Sequence, residues 1–183
     1  MKINKKKQQE LVEFLIKNPS YYTDKKNWGE GEWQTEPDIY QFRYKGYWCV
    51  ALRHPTNGNY CGYVLIKKGS KWDNDYNPLD IDCHGGLTYS GKVYFSYGLP
   101  NPEMITDLDS FNCIGFDCNH GGDFAPGMVA SRKFMDQMFD YDDDELNYEL
   151  KLLRHYEKDD IYRNLQYVKR QLEMIVDQIV GEQ

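Results

Sequence analysis

Three histidines stand among turn-forming residues. His54 precedes Pro55, His84 lies in Asp82-Cys83-His84-Gly85-Gly86, and His120 lies in Asp117-Cys118-Asn119-His120-Gly121-Gly122-Asp123. Imidazole is the side chain best suited to passing a proton near neutral pH, and loops at strand ends are where a rigid sheet displays reactive groups. The paired glycines add main-chain amides that can approach a ligand closely: Gly85 and Gly86 with Asp82 and Cys83 in one loop, Gly121 and Gly122 in the other. If the folded chain gathers His54, His84 and His120 with Asp117 and Asp123, it gains a general acid, a general base and a carboxylate to orient an imidazole. Phosphodiester or other hydrolytic chemistry fits that set. The competing structural reading has the aspartates bonding turn amides and the histidines satisfying main-chain groups.

Other chemistries are less well supplied. Cys118 and His120, two residues apart, would point the same way on a strand, and Cys83 with His84 makes a second zinc-type pair. Neither C-x-x-C nor H-E-x-x-H occurs, so the sequence names no cofactor. Nothing marks Cys83 as an activated nucleophile. The acidic run Asp140 to Glu145 opens like a calcium loop, but Glu145 stands where that loop needs glycine and Lys151 where it needs glutamate. It reads instead as the solvated start of a helix, whose dipole favours carboxylates, or as acidic mimicry of nucleic-acid phosphates.

The elements that would hold these loops follow from apolar periodicity. Leu11, Phe14 and Leu15 predict a helix from about Asn4 to Lys17, stopped by Asn18-Pro19. Ile39 to Tyr44 and Tyr47 to Leu52 predict a hairpin across Lys45-Gly46. Tyr60 to Lys67, Leu87 to Phe95 and Cys113 to Asp117 supply three more strands of a twisted, mainly antiparallel sheet. Leu146, Leu150 and Leu153, then Ile161, Leu165, Val168, Leu172, Ile175 and Ile179, predict a long amphipathic carboxy-terminal helix laid on the sheet. Asp159 or Asp160 would cap its start and Gly181 its end. The loop Trp28-Gly29-Glu30-Gly31-Glu32-Trp33 reads as a packed turn or a pocket wall. The fold class is α+β, one domain over residues 1–183.

Composition narrows the setting. With 183 residues, 40% apolar and 28% charged, the chain is long enough to bury a core without staples. Apolar runs fall far short of the roughly 20 residues a bilayer demands, so no membrane partner is expected. Five cysteines without a secretory signal argue for reduced thiols and a cytoplasmic protein. A net charge of −7 argues against a broad polyanion footprint, and Lys2, Lys5, Lys6 and Lys7 form the one dense basic patch. The 16 tyrosines suit half-buried strands or a contact surface.

The ordered series Gly62-Tyr63-Val64, Cys83-His84-Gly85-Gly86-Leu87-Thr88-Tyr89, Gly115-Phe116-Asp117-Cys118-Asn119-His120-Gly121-Gly122-Asp123 and Tyr162-Arg163-Asn164-Leu165-Gln166-Tyr167-Val168 resembles a widespread group of small phage and prophage proteins. The resemblance spans roughly residues 46–180. That group often carries a Gly-His-Pro element after the third strand, where this chain has Lys68-Gly69-Ser70-Lys71. The resemblance implies a phage-encoded inhibitor of bacterial defence. Its partner would be the type II CRISPR effector or its guide RNA, met by an acidic, Tyr-rich surface or by His/Asp-dependent RNA cleavage. A phage hydrolase or nucleotide-binding protein unrelated to CRISPR is the alternative, and a purely structural protein the third reading.

Overall fold

The computed structural model of the chain describes residues 2–3, 5–73, 81–92, 108–140 and 159–181. The fold is α+β, and two compact units are distinguished within it. One comprises Met1–Gln34, Pro55–Gly58 and Gly121–Tyr162; the other comprises Thr35–His54, Asn59–His120 and Arg163–Gln183.

The second, the sheet unit, is built on five antiparallel strands: β2 (Ile39–Tyr44), β3 (Tyr47–Arg53), β4 (Tyr60–Lys67), β5 (Tyr89–Lys92) and β6 (Phe111–Asp117), in the order β2-β3-β4-β6-β5. Lys45 and Gly46 both take positive φ, 46° and 88°, as a two-residue hairpin of primed type requires, and they fix Tyr44 opposite Tyr47. The alternation in β3, β4 and β6 sends Cys49, Ala51, Tyr60, Val64, Ile66, Ile114 and Phe116 to one face. Onto that face packs helix α3 (Leu165–Gly181), whose Val168, Leu172, Ile175, Val176 and Ile179 are all buried. Five buried aliphatic side chains on one stripe, each contributing about 1.5–3 kcal/mol, hold the helix to the sheet. A second apolar cluster, Val50, Leu52, Leu65 and Cys113, occupies the opposite face.

Helix α3 starts later than its apolar spacing predicts. Asn164 caps it by accepting from the Tyr167 amide (3.0 Å), and Glu36 accepts from the Leu165 amide (2.8 Å). Asp159 and Asp160 therefore do not cap it, and Ile161 instead makes a bridge with Asp123 within the other unit. Glu36 is itself held by Arg53 (3.0 Å), whose side chain is 1% exposed, pairs also with Asp38 (2.9 Å) and stacks on Tyr60.

The first, helical unit holds α1 (Lys5–Lys17) and α2 (Gly127–Met138), with β1 (Lys2–Ile3) paired to β7 (Phe139–Asp140). Trp28 and Trp33 are buried there with Ala130, against Tyr21, Tyr22, Phe124 and Tyr162, so the two-tryptophan loop is core. The α2 helix was not foreseen from the sequence. The stretch with Leu146, Leu150 and Leu153, the acidic run beyond Asp140, and the strand continuation past Lys92 lie outside the described residues. No helix among the described residues is long and apolar enough to cross a membrane.

Candidate functional site

The registers bring the histidine loops of the sheet unit to one end of the sheet. Arg53 pairs with Tyr60, Cys61 with Asp117 and Tyr89 with Gly115. The chain therefore leaves β3 toward His54, enters β5 from His84 and leaves β6 toward His120 at that same end. Two of the three histidines meet. The rings of His84 and His120 are 5.3 Å apart between centroids, edge to face, and one ring nitrogen of each lies within 4.8 Å of the other. His54 follows β3, with β4 interposed before β6, which is about 10 Å of sheet width. Its amide donates to Asn59 O (2.8 Å), and burial lowers its pKa below the usual histidine value.

Each imidazole is positioned by identifiable neighbours. His84 Nδ1 shares a hydrogen bond with the Tyr167 hydroxyl (2.9 Å), and the His84 ring meets Tyr167 and Phe116 edge-on. Phe116 can lie there because its cross-strand partner is Gly62, where a Cβ would come within 2.5 Å of the Phe116 ring. The His84 loop is stitched to α3 by two glutamines. Gln171 Oε1 accepts from the His84 amide (2.8 Å), while Gln178 accepts from the Asp82 amide and donates to the Asp82 carbonyl, both at 2.8 Å. Tyr167, Gln171, Met174 and Gln178 thus form one stripe at helical spacing beside the apolar one.

His120 lies directly against Gly85. A Cβ at Gly85 would fall 2.3 Å from His120 Cε1 and 2.5 Å from Nε2, and the Gly85 φ of 65° is itself a glycine conformation. Asp117 Oδ1 is 4.0 Å from His120 Nδ1, too far for a hydrogen bond but close enough to act through its charge. The same carboxylate accepts from the Thr88 hydroxyl (3.0 Å) and the Asn119 amide (3.1 Å). Asp117 therefore performs the turn-bonding role and the imidazole-facing role together. His120 and Asp117 retain about a third of their side-chain exposure, 34% and 35%, while His120 Nδ1 itself is buried.

The remaining sequence candidates divide. Cys83 is buried in the core, and burial, with Asp82 adding to it, pushes its thiol up to about 11, which removes it as a nucleophile near neutral pH. Cys118 continues the inward alternation of Ile114 and Phe116, its amide still donating to Tyr60 O (2.9 Å), and the chain leaves strand geometry before His120, so the same-side pairing expected for zinc does not arise. The Gly86 amide is spent on Cys83 O (3.0 Å). Asp123 is buried, and Gly122 O accepts from the Ile161 amide (2.9 Å), both within the helical unit; Gly121 has open space where a Cβ would be. Gln171 and Gln178 were missed from the sequence. Their signal was polar residues seven apart on the helix face next to the apolar stripe.

Chemically, two ring nitrogens within 4.8 Å of each other can both reach one phosphate group or one water oxygen, since a hydrogen bond spans about 2.6–3.2 Å. The Arg163 guanidinium sits 4.9 Å from the centre of the Tyr167 ring and brings a positive charge to the same helix end. No protein-family model matches the chain, and no curated protein or solved structure matches it.

Proposed function

We propose that this protein is a cytoplasmic, metal-independent phosphodiester hydrolase acting on RNA, with His84 and His120 as the proton-transfer pair. The observation that carries this reading is the proximity of the two partly buried imidazoles beside Asp117 and Tyr167. The site offers two proton carriers but no activated nucleophile, since the adjoining thiol is buried and protonated. RNA suits such a site because it carries its own nucleophile. One imidazole takes the 2′-hydroxyl proton as O2′ attacks phosphorus, the other protonates the departing 5′-oxygen, and a 2′,3′-cyclic phosphate results. The net charge of −7 favours a short or already exposed segment over a long polyanion. The guide RNA of a type II effector is the target implied by the phage-protein resemblance, and cutting it would make the chain an inhibitor of that defence.

The test is direct. Labelled RNA, a DNA of the same sequence and a type II guide RNA are incubated with the wild type, His84→Ala and His120→Ala, then resolved on a denaturing gel. RNA cleavage ending in cyclic phosphate, intact DNA and a loss of about 10²–10⁴-fold in each variant are expected. Intact RNA at excess protein removes the reading, and an intact guide with unimpaired effector activity removes the defence target.

A further inference from the structure

We infer that His84 and His120 together form a binding site for a transition-metal ion, zinc foremost, and that occupying it switches the proton-transfer centre off. The binding half stands on the geometry alone; the switching half rests on the reading above. One ring nitrogen of each histidine lies within 4.8 Å of the other. Two nitrogens on one tetrahedral zinc stand about 3.3–3.4 Å apart, given Zn–N bonds of about 2.0–2.1 Å. The approach needed is therefore about 1.5 Å at most, within reach of a ring rotation by partly exposed His120, which rests against a residue without a side chain.

The surroundings suit imidazole ligation. His84 Nδ1 is engaged by the Tyr167 hydroxyl (2.9 Å), which fixes the direction of the ring. A phenol both donates and accepts, so it can accept from Nδ1–H while Nε2 gives its lone pair to a metal. On the other side the Asp117 carboxylate faces His120 Nδ1, the arrangement by which an outer carboxylate makes an imidazole a stronger ligand. Two neutral imidazoles favour zinc, nickel or copper over magnesium or calcium, which prefer oxygen. Water fills the remaining positions, and the site stays accessible because His120 is one-third exposed. A nitrogen whose lone pair is given to a metal has none left for a proton, so binding and catalysis exclude each other.

The experiment uses the full chain after chelator treatment. Zinc affinity is measured by competition with a chromogenic chelator, and cobalt uptake by its visible absorption, for the wild type, His84→Ala, His120→Ala, Tyr167→Phe and Cys83→Ser, with circular dichroism confirming the fold of each. One ion per chain is expected. Affinity should fall at least about tenfold without either histidine, fall about tenfold in Tyr167→Phe, where the ring remains but its anchor is gone, and hold in Cys83→Ser. No uptake by the wild type, or uptake unchanged in both histidine variants, overturns the site. RNA cleavage should stop with one equivalent of zinc and return with chelator; stimulation by zinc overturns the switch. Zinc uptake without cleavage under any condition removes the hydrolase reading and the switch while the metal site stands.

Discussion

In the helical unit the buried indoles turn their N–H groups onto carbonyls close by in the chain, Trp33 to Gly29 and Trp28 to Tyr22, four and six residues away. In the sheet unit the loop that carries His84 is held by Tyr167, Gln171 and Gln178, which lie 83, 87 and 96 residues further along. Local closure satisfies both indole donors within the cluster. Long-range closure lets a helix carry the hydrogen bonds of a loop's backbone and, through Tyr167, orient the His84 ring. The first arrangement should therefore govern stability, and the second, activity.

The largest effect expected is on the closed cluster. Trp28→Ala should destabilise the protein by about 3–5 kcal/mol in urea unfolding, because a fully buried indole leaves a cavity. Next comes a matched glycine pair. Gly85→Ala places a methyl against the His120 ring and forces a left-handed backbone on a non-glycine residue, at a cost of about 1–2 kcal/mol for the backbone alone. Gly31→Ala clashes equally with the Trp33 ring, at 2.2 Å. RNA cleavage should be abolished in the first and persist in the second under conditions where both are folded. Equal activities would break the contrast.

Gln171→Ala and Gln178→Ala come third. Each leaves main-chain groups of the His84 loop without their partner and should cost about 1–2 kcal/mol, seen as faster amide exchange at His84 and Asp82 respectively. The smallest effect concerns His54. Its folded pKa is lowered from 6.5 by burial, so its contribution to stability is complete above 6.5 and is lost as the pH falls below that value. His54→Gln should flatten the melting temperature between pH 7 and 5, as followed by differential scanning fluorimetry, and a slope unchanged from wild type contradicts the assignment.

The strands and the hairpin were legible because period-two apolar alternation and Lys45-Gly46 carry their own geometry. The body of α3 was legible from its four-and-three apolar spacing, but its start was not, since a side chain 129 residues earlier, Glu36, satisfies the first amide. The turn-rich settings grouped His54, His84 and His120 on the condition that the fold gathers them, and did not single out the pair that meets. The contribution of α3 to the site was not legible, because glutamines beside an apolar stripe are indistinguishable in sequence from solvated ones. The zinc-type pairing of Cys118 with His120 assumed a strand three residues longer than β6 is.

The bonds from α3 to the His84 loop also set a schedule. Ribosomal synthesis delivers both histidines well before Tyr167, Gln171 and Gln178, so a nascent chain holds imidazoles with no frame around them. The frame around His84 is complete only when α3 docks, so on the proposed function a chain still lacking α3 would not cleave RNA.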